Sequence, residues 1–248
     1  MPIKVAHVVR QYYPSVGGME EVVQNIARHQ RDYHGHVPTI FTLNRLFRNS
    51  SETLPSEDEA DGIRIVRLPY RGSSRYPLAP QVLREVRDAD VIHVHGVDFF
   101  YDYLALTKVV HRRPLVASTH GGFFHTQFAS RLKTIYFNTV TRASSAAYDR
   151  IVGTSENDGV MFRDIVRPPK LSVIENGVNV QKFAGRGAAR LAPVMIYFGR
   201  WSVNKGLIET LALFRELVAR HPEWRLIIAG REYDHTVAEL NALIEQHG

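Results

Sequence analysis

The chain has 248 residues, 44% of them hydrophobic and 23% charged, proportions that suit a soluble globular protein of one large or two ordinary domains with a substantial core. It contains no cysteine, which excludes disulfides and thiolate metal sites. It has no apolar run of about 18 residues or more, so no segment reads as a membrane-spanning helix. The net charge of +6 favours anionic partners, whether nucleotides, phospholipid surfaces or nucleic acid, and does not choose among them. The opening MPIKVAHVVR is too short an apolar run for a signal peptide, and His7 and Arg10 interrupt it.

Ile3–Val9 reads as a strand buried on both faces of a parallel sheet. Gly17 and Gly18 follow, allowing either close backbone approach or positive φ. The spacing of Val22, Val23 and Ile26 then predicts a helix from Met19 to His29. Strand, glycine turn and helix together open a nucleotide-binding type of unit, although many such turns carry glycine for steric reasons only. Val37–Leu43 is a second strand. Residues 45–61 are polar and acidic and read as a surface loop, and Ile63–Leu68 reads as a strand near the sheet edge. RGSSRYPLAP reads as a loop in which Arg71 and Arg75 either meet a phosphate or are simply solvated.

Val91–Val94 is a short buried strand ending in HVHG, with His93 and His95 on one side of it. A metal there would need a third ligand that spacing does not supply, so hydrogen-bonded histidines are the default and no metal is expected. A helix rich in aromatics spans residues 98–111. Leu115–Thr119 then delivers His120, Gly121 and Gly122 to the carboxyl end of a strand, where the crevice of an open α/β sheet lies. His120 either contacts substrate or caps the next helix. Residues 129–148 form one or two helices with basic residues among apolar ones, suited to an anionic membrane surface or to a core with a solvated basic side. Thr154 or Ser155 caps a further helix, with Asp158 in the position of a capping-box acid.

The fold class that results is α/β: a Rossmann-like doubly wound domain over residues 1–180, a linker at 181–192, and the first part of a second Rossmann-like domain at 193–248. In the second domain, Val194–Phe198 reads as a strand, Gly199–Gly206 as a loop and Leu207–Leu217 as a helix. Arg200 and Lys205, held between two glycines beside a helix start, suit a diphosphate or are ordinary solvated cations. The loop is not a phosphate-cradling GxxxxGK[ST] motif, because Gly206 stands where Ser or Thr is required. Two βα units fall short of a doubly wound domain, so the second domain is expected to be cut short.

The GG turn, HVHG, STHGG, GTSENDG, IENGVN and YFGRWSVNKG together resemble the GT-B glycosyltransferases of family 4 from end to end of the chain. Within that family, the α-mannosyltransferases of xanthan- and acetan-type exopolysaccharide assembly are similar in all of these stretches. The resemblance implies a retaining transfer of mannose from GDP-mannose, a nucleotide-sugar donor, to a polyprenyl-diphosphate-linked disaccharide. It also implies a cytoplasmic enzyme lying peripherally on the inner-membrane surface, with no nucleic-acid partner. By motif position, Arg200 and Lys205 would grip the donor diphosphate, assisted by Gly199. Gly17 and Gly18 would bring backbone N–H groups to the same phosphate or to the reacting sugar, and His120 would contact that sugar. Arg71, Arg75, Asp98 and Phe123 would line the acceptor site. No side-chain nucleophile, cofactor or metal is implied, because the two cations take the place of a metal. Two departures stand out. Asn179 replaces the usual Asp, and no two glutamates lie eight positions apart, so the family's paired-glutamate motif is absent. The alternative to an active transferase is an acceptor- and membrane-binding module.

Overall fold

The first compact unit, Met1–Asn179, is built on eight strands and the helices that cover them. A computed structural model describes residues 1–49, 51–74, 76–121 and 130–247. The strands of the sheet are β1 (Lys4–Val9), β2 (Val37–Leu43), β3 (Glu57–Ala60), β4 (Ile63–Leu68) and, beyond a small hairpin of β5 (Arg71–Ser73) and β6 (Tyr76–Leu78), β7 (Val91–His95), β8 (Leu115–Ser118), β9 (Arg150–Gly153) and β10 (Leu171–Val173). Their order is β10-β9-β8-β7-β1-β2-β4-β3, and every neighbouring pair is parallel except β3–β4.

The order reverses at β1, which has β2 on one side and β7 on the other. The crevice outside the carboxyl ends of β1 and β7 is therefore the switch point where such sheets bind ligands. The helices are α1 (Gly18–His34), α2 (Val82–Glu85), α3 (Phe99–Leu106), α4 (Lys108–His111), α5 (Ser130–Tyr136), α6 (Arg142–Ala147) and α7 (Glu156–Arg163), with a π-helical turn at Phe137–Thr141 joining α5 to α6. Helix α1 outruns the predicted span by a turn. It stops at Gly35, whose φ of 62° places it in the left-handed region; its N–H donates to the Arg31 carbonyl and the His36 N–H to that of Gln30.

Alternation along the central strands splits the core in two. Ala6 and Val8 of β1 join Ile92 and Val94 of β7 in the larger cluster, with Phe100, Tyr101, Leu104 and Tyr148. Val9 joins Val23 and Ala27 of α1 and Ile40, Ile63 and Ile65 in the smaller one. His7, His93 and His95 occupy the alternate positions of β1 and β7, opposite the larger cluster.

Three loop expectations are corrected. The acidic stretch 45–61 contains β3, an edge strand whose Asp58 pairs with the buried Arg67 at 2.8 Å. A polar strand carries no apolar period to read, and its charges suit an edge by discouraging further pairing. RGSSRYPLAP contains the β5–β6 hairpin, where Pro77 is tolerated because a two-stranded ribbon has only edges. The strand after the linker runs on through Gly199 to Trp201, so Gly199 and Arg200 lie in a strand, not in a loop.

The second unit, Val180–Gly248, holds β11 (Val194–Trp201), α8 (Leu207–Arg220), β12 (Arg225–Glu232) and α9 (Val237–His247). The two strands pair in parallel with Gly199 opposite Gly230. Their φ values are 154° and 152°, and a Cβ on Gly230 would overlap the carbonyl of Gly199. Leu207 is buried at the start of α8, while Phe198 of β11 is 84% exposed. Two parallel strands and two helices leave much of their apolar surface open.

Candidate active site

Everything placed at the carboxyl edge of the first sheet is held by that edge's loops and helix starts. Gly17 is the N-cap of α1 with an extended backbone (φ −168°, ψ 173°), and no side chain caps the helix. Gly18 has nothing within 4 Å of where a Cβ would be. Neither glycine has positive φ, and a Cβ on Gly17 would press on the Glu20 carboxylate, a steric reason for glycine there. The 17-residue helix has no side-chain cap, and its first turn carries the carboxylates of Glu20 and Glu21, which suit the positive end of its dipole.

Across the switch point, Arg10 Nε meets Asp98 Oδ2 at 2.9 Å. Asp98 also caps α3, its Oδ1 accepting from the Phe100 N–H at 2.8 Å. Burial pushes the Asp98 carboxyl upward, opposed by Arg10 and by the backbone N–H groups of Phe100 and Tyr101. The carboxylate is thus committed to its neighbours. Arg10, 32% exposed, is the half of the pair that reaches the surface. Sequence reading passed over Arg10, and only its place directly after β1 points to it.

His120 follows β8 with φ 48°, a left-handed conformation uncommon for a residue with a side chain. A strained residue at a sheet's ligand edge is held there by its surroundings, and here the clamp is Asp158. Its Oδ2 accepts from Thr119 Oγ1 at 2.5 Å, the Gly121 N–H at 2.9 Å and Thr154 Oγ1 at 3.1 Å. Ser155 is the N-cap of α7, accepting from the Asp158 N–H at 3.2 Å. Ser155 caps α7, while the segment between the His120–Gly121 turn and the next helix, α5, lies outside the described residues. That segment, residues 122–129, contains Phe123, and Arg75 also lies outside the described residues. Asp158 looks like an ordinary capping-box acid in the sequence, and nothing there reveals that its side chain turns to the STHGG loop.

The third histidine that spacing did not supply is His7, the register partner of His93. One ring nitrogen from each of His7, His93 and His95 lies within 4.8 Å of the others. All three rings are hydrogen-bonded: His7 Nδ1 with His95 Nε2 at 2.9 Å, and His93 Nε2 with Ser118 Oγ at 2.8 Å. His95 Nδ1 continues to His120 Nε2 at 3.0 Å. Burial lowers the pKa of His7 and of His120 to about 4 and holds His93 and His95 well below the usual range, so all four are neutral at pH 7.

Arg71 is exposed on the β5–β6 hairpin. That hairpin is tied down by Asp102 of α3, which accepts from Tyr76 at 3.0 Å, from Ser144 at 2.7 Å and from Tyr136. In the second unit, Arg200 and Lys205 are exposed on either side of the buried Ser202, ahead of α8. The Arg200 guanidinium lies 4.9 Å from the Tyr233 ring centroid, which steadies it without neutralising it. His120, Gly17, Gly18 and Asp98 thus share one unit, and Gly199, Arg200 and Lys205 share the other.

Residues 16–182 match the model of Glycosyltransferase Family 4. The chain is 57% identical over 246 residues to the GDP-mannose:cellobiosyl-diphosphopolyprenol alpha-mannosyltransferase of Xanthomonas campestris, covering 99% of this chain and 65% of that protein. It is 43% identical over 242 residues to the protein of the same name from Komagataeibacter xylinus, covering 97% of this chain and 61% of that one. The chain thus spans less than two thirds of the length of these curated relatives. Among solved structures, the catalytic domain of starch synthase IV from Arabidopsis thaliana, bound to ADP and acarbose, superposes with a TM-score of 0.64 at 12% identity, over 99% of this chain and 72% of that one. A lipopolysaccharide outer core galactosyltransferase in its apo form gives 0.62 at 16% identity, over 99% and 65%. Identities this low speak for the shared GT-B fold alone. With the family model covering most of its first unit, the chain belongs to glycosyltransferase family 4.

Proposed function

We propose that this chain carries the acceptor side and the diphosphate-gripping start of a retaining α-mannosyltransferase, which moves mannose from GDP-mannose to a polyprenyl-diphosphate-linked disaccharide in exopolysaccharide assembly. The observation that carries the reading is near end-to-end identity with relatives of that name, 57% over 246 residues. The geometry supports it. A histidine held in a left-handed turn, an uncapped helix start and an exposed arginine converge on the switch-point edge of the first sheet.

In this reading Arg200 and Lys205 neutralise charge building on the departing GDP as the glycosidic bond to the donor breaks. Gly17 and Gly18 offer N–H groups to phosphate or sugar, and His120 meets the transferred sugar. Asp98 serves the acceptor side by holding Arg10, while Arg71, with Arg75 and Phe123, lines the acceptor approach. Neither a metal nor another cofactor is required, because cationic side chains stabilise the leaving diphosphate.

No described helix is long and apolar enough to cross a membrane. Helix α5 instead exposes Leu132 and Ile135 next to Arg131 and Lys133, a face suited to lying on the cytoplasmic surface of an anionic inner membrane. That face favours, as the second reading, a module that binds membrane and acceptor without turnover. Incubating the 248-residue chain with labelled GDP-mannose and cellobiosyl-diphosphopolyprenol separates the two readings. Label in the lipid fraction, lost in Arg200→Ala and Lys205→Ala, supports transfer. Sedimentation with anionic liposomes and no label supports the module, and neither result sinks both.

A further inference from the structure

The buried His7 and His95 and the half-buried His93 and His120 form more than a filler between the sheet and α1. Gln30 of α1, His7 of β1, His95 of β7 and His120 after β8 are joined end to end. Gln30 Oε1 meets His7 Nε2 at 2.8 Å, His7 Nδ1 meets His95 Nε2 at 2.9 Å, and His95 Nδ1 meets His120 Nε2 at 3.0 Å. A neutral imidazole has one donor nitrogen and one acceptor nitrogen. In a chain of neutral imidazoles, the direction of the first hydrogen bond therefore dictates all the others.

An amide oxygen only accepts, so His7 carries its proton on Nε2 and accepts at Nδ1. His95 must then donate from Nε2 and accept at Nδ1, and His120 must donate from Nε2. The ring nitrogen left over is His120 Nδ1, which has no hydrogen-bond partner among the described residues. His93 stands beside this row but is bonded to Ser118. Burial of the row keeps it neutral, which the relay of direction requires.

We propose that Gln30, acting through His7 and His95, fixes His120 in the Nε2–H tautomer and leaves a bare Nδ1 that accepts a hydrogen bond from a sugar hydroxyl. A tautomer of the opposite kind would donate from Nδ1 and suit a phosphate oxygen instead. Gln30 is thus a positioning residue, acting through two buried side chains on a group it does not touch. The sugar contact rests on the function proposed above, whereas the tautomer does not.

Long-range 1H–15N correlation of the 15N-labelled chain near neutral pH reads the tautomer directly, with His120→Asn identifying the signals. The expected spectrum shows His7, His95 and His120 all protonated at Nε2. Gln30→Glu, whose carboxylate also only accepts, should keep that pattern. Gln30→Lys, which only donates, should reverse it and put the His120 proton on Nδ1. His95→Phe should make His120 indifferent to residue 30. A wild-type His120 protonated on Nδ1 overturns the proposal, as does one that keeps the same tautomer in folded Gln30→Glu and Gln30→Lys chains. Amide dispersion reports folding. If the lysine variant does not fold, the wild-type and glutamate spectra still decide. A chain that transfers no mannose yet shows a tautomer set by Gln30 sinks the proposed transfer and leaves the tautomer relay standing without its sugar contact.

Discussion

Lowering the pH from 7 to about 5 should strongly destabilise the first unit. His7 and His120 have pKa values lowered from 6.5 to about 4 by burial, and His93 and His95 are held well below 6.5 by burial and by their neighbours. The unfolded chain binds protons between these limits that the folded chain excludes. Stability is therefore present above about pH 6.5 and is lost as the pH falls toward 4. An imidazole shifted this far loses roughly 2 kcal/mol of its contribution by about pH 5. The two imidazoles held near 4 together lose on the order of 4 kcal/mol, a large part of the stability of an ordinary domain of about 5–15 kcal/mol, and His93 and His95 act in the same direction. Asp98 works in the opposite direction at the lower end, because burial raises its pKa. Urea denaturation followed by near-UV circular dichroism at half-unit pH steps would give the slope. His7→Gln should flatten it by up to about 1.4 kcal/mol per pH unit. A urea midpoint unchanged between pH 7 and about pH 4.5 would refute the reasoning, since it would mean that these imidazoles are solvated or already charged in the fold.

Asp158→Ala should destabilise the first unit by about 3 kcal/mol, because it strands the buried donors of Thr119 and Thr154 and the Gly121 N–H; a thermal melt of the variant measures it. Gly230→Ala should break the β11–β12 pairing, since a Cβ there overlaps the Gly199 carbonyl. Loss of protection of the Ile196 and Ile228 amides from hydrogen exchange would report it. Tyr148→Phe removes a buried hydroxyl that donates to the Tyr101 carbonyl at 2.9 Å and should cost about 1 kcal/mol in chemical denaturation. Arg200→Ala and Lys205→Ala should each abolish mannose transfer without moving the melting temperature, because both side chains are exposed.

The central strands of the sheet were legible because they are runs of mostly buried apolar residues, from Val5–Val9 through Leu115–Ala117. What escaped reading had no such period. Strand β3 is Glu-Asp-Glu-Ala, and the β5–β6 hairpin is built of Arg, Gly, Ser, Tyr and Pro, so both looked like loop. Gly199 looked like the end of β11 because glycine usually punctuates a strand. Paired with Gly230 across the ladder, it instead lets two backbones approach inside one.

Site positions were legible where a motif lies next to a strand end, as with His120 after β8 and Asp98 after β7. The partners that fix those positions were not. His7 is 88 positions from His95, Gln30 is 23 from His7, and Asp158 is 39 from Thr119. Only the sheet order and the seat of α1 on one face bring them together. Spacing along a chain cannot express a contact that depends on which strand lies next to which.

The central claim is that the switch-point edge of the first sheet receives the sugar acceptor. Titrating the 15N-labelled chain with cellobiosyl diphosphate on a short, soluble prenyl chain tests it most directly. The account predicts amide shifts clustered at Arg10 and Asp98, at the carboxyl ends of β1 and β7, and at Arg71 of the β5–β6 hairpin. Shifts confined to the opposite edge, around Lys4, Val37 and Val91, or none at saturating ligand, would contradict it.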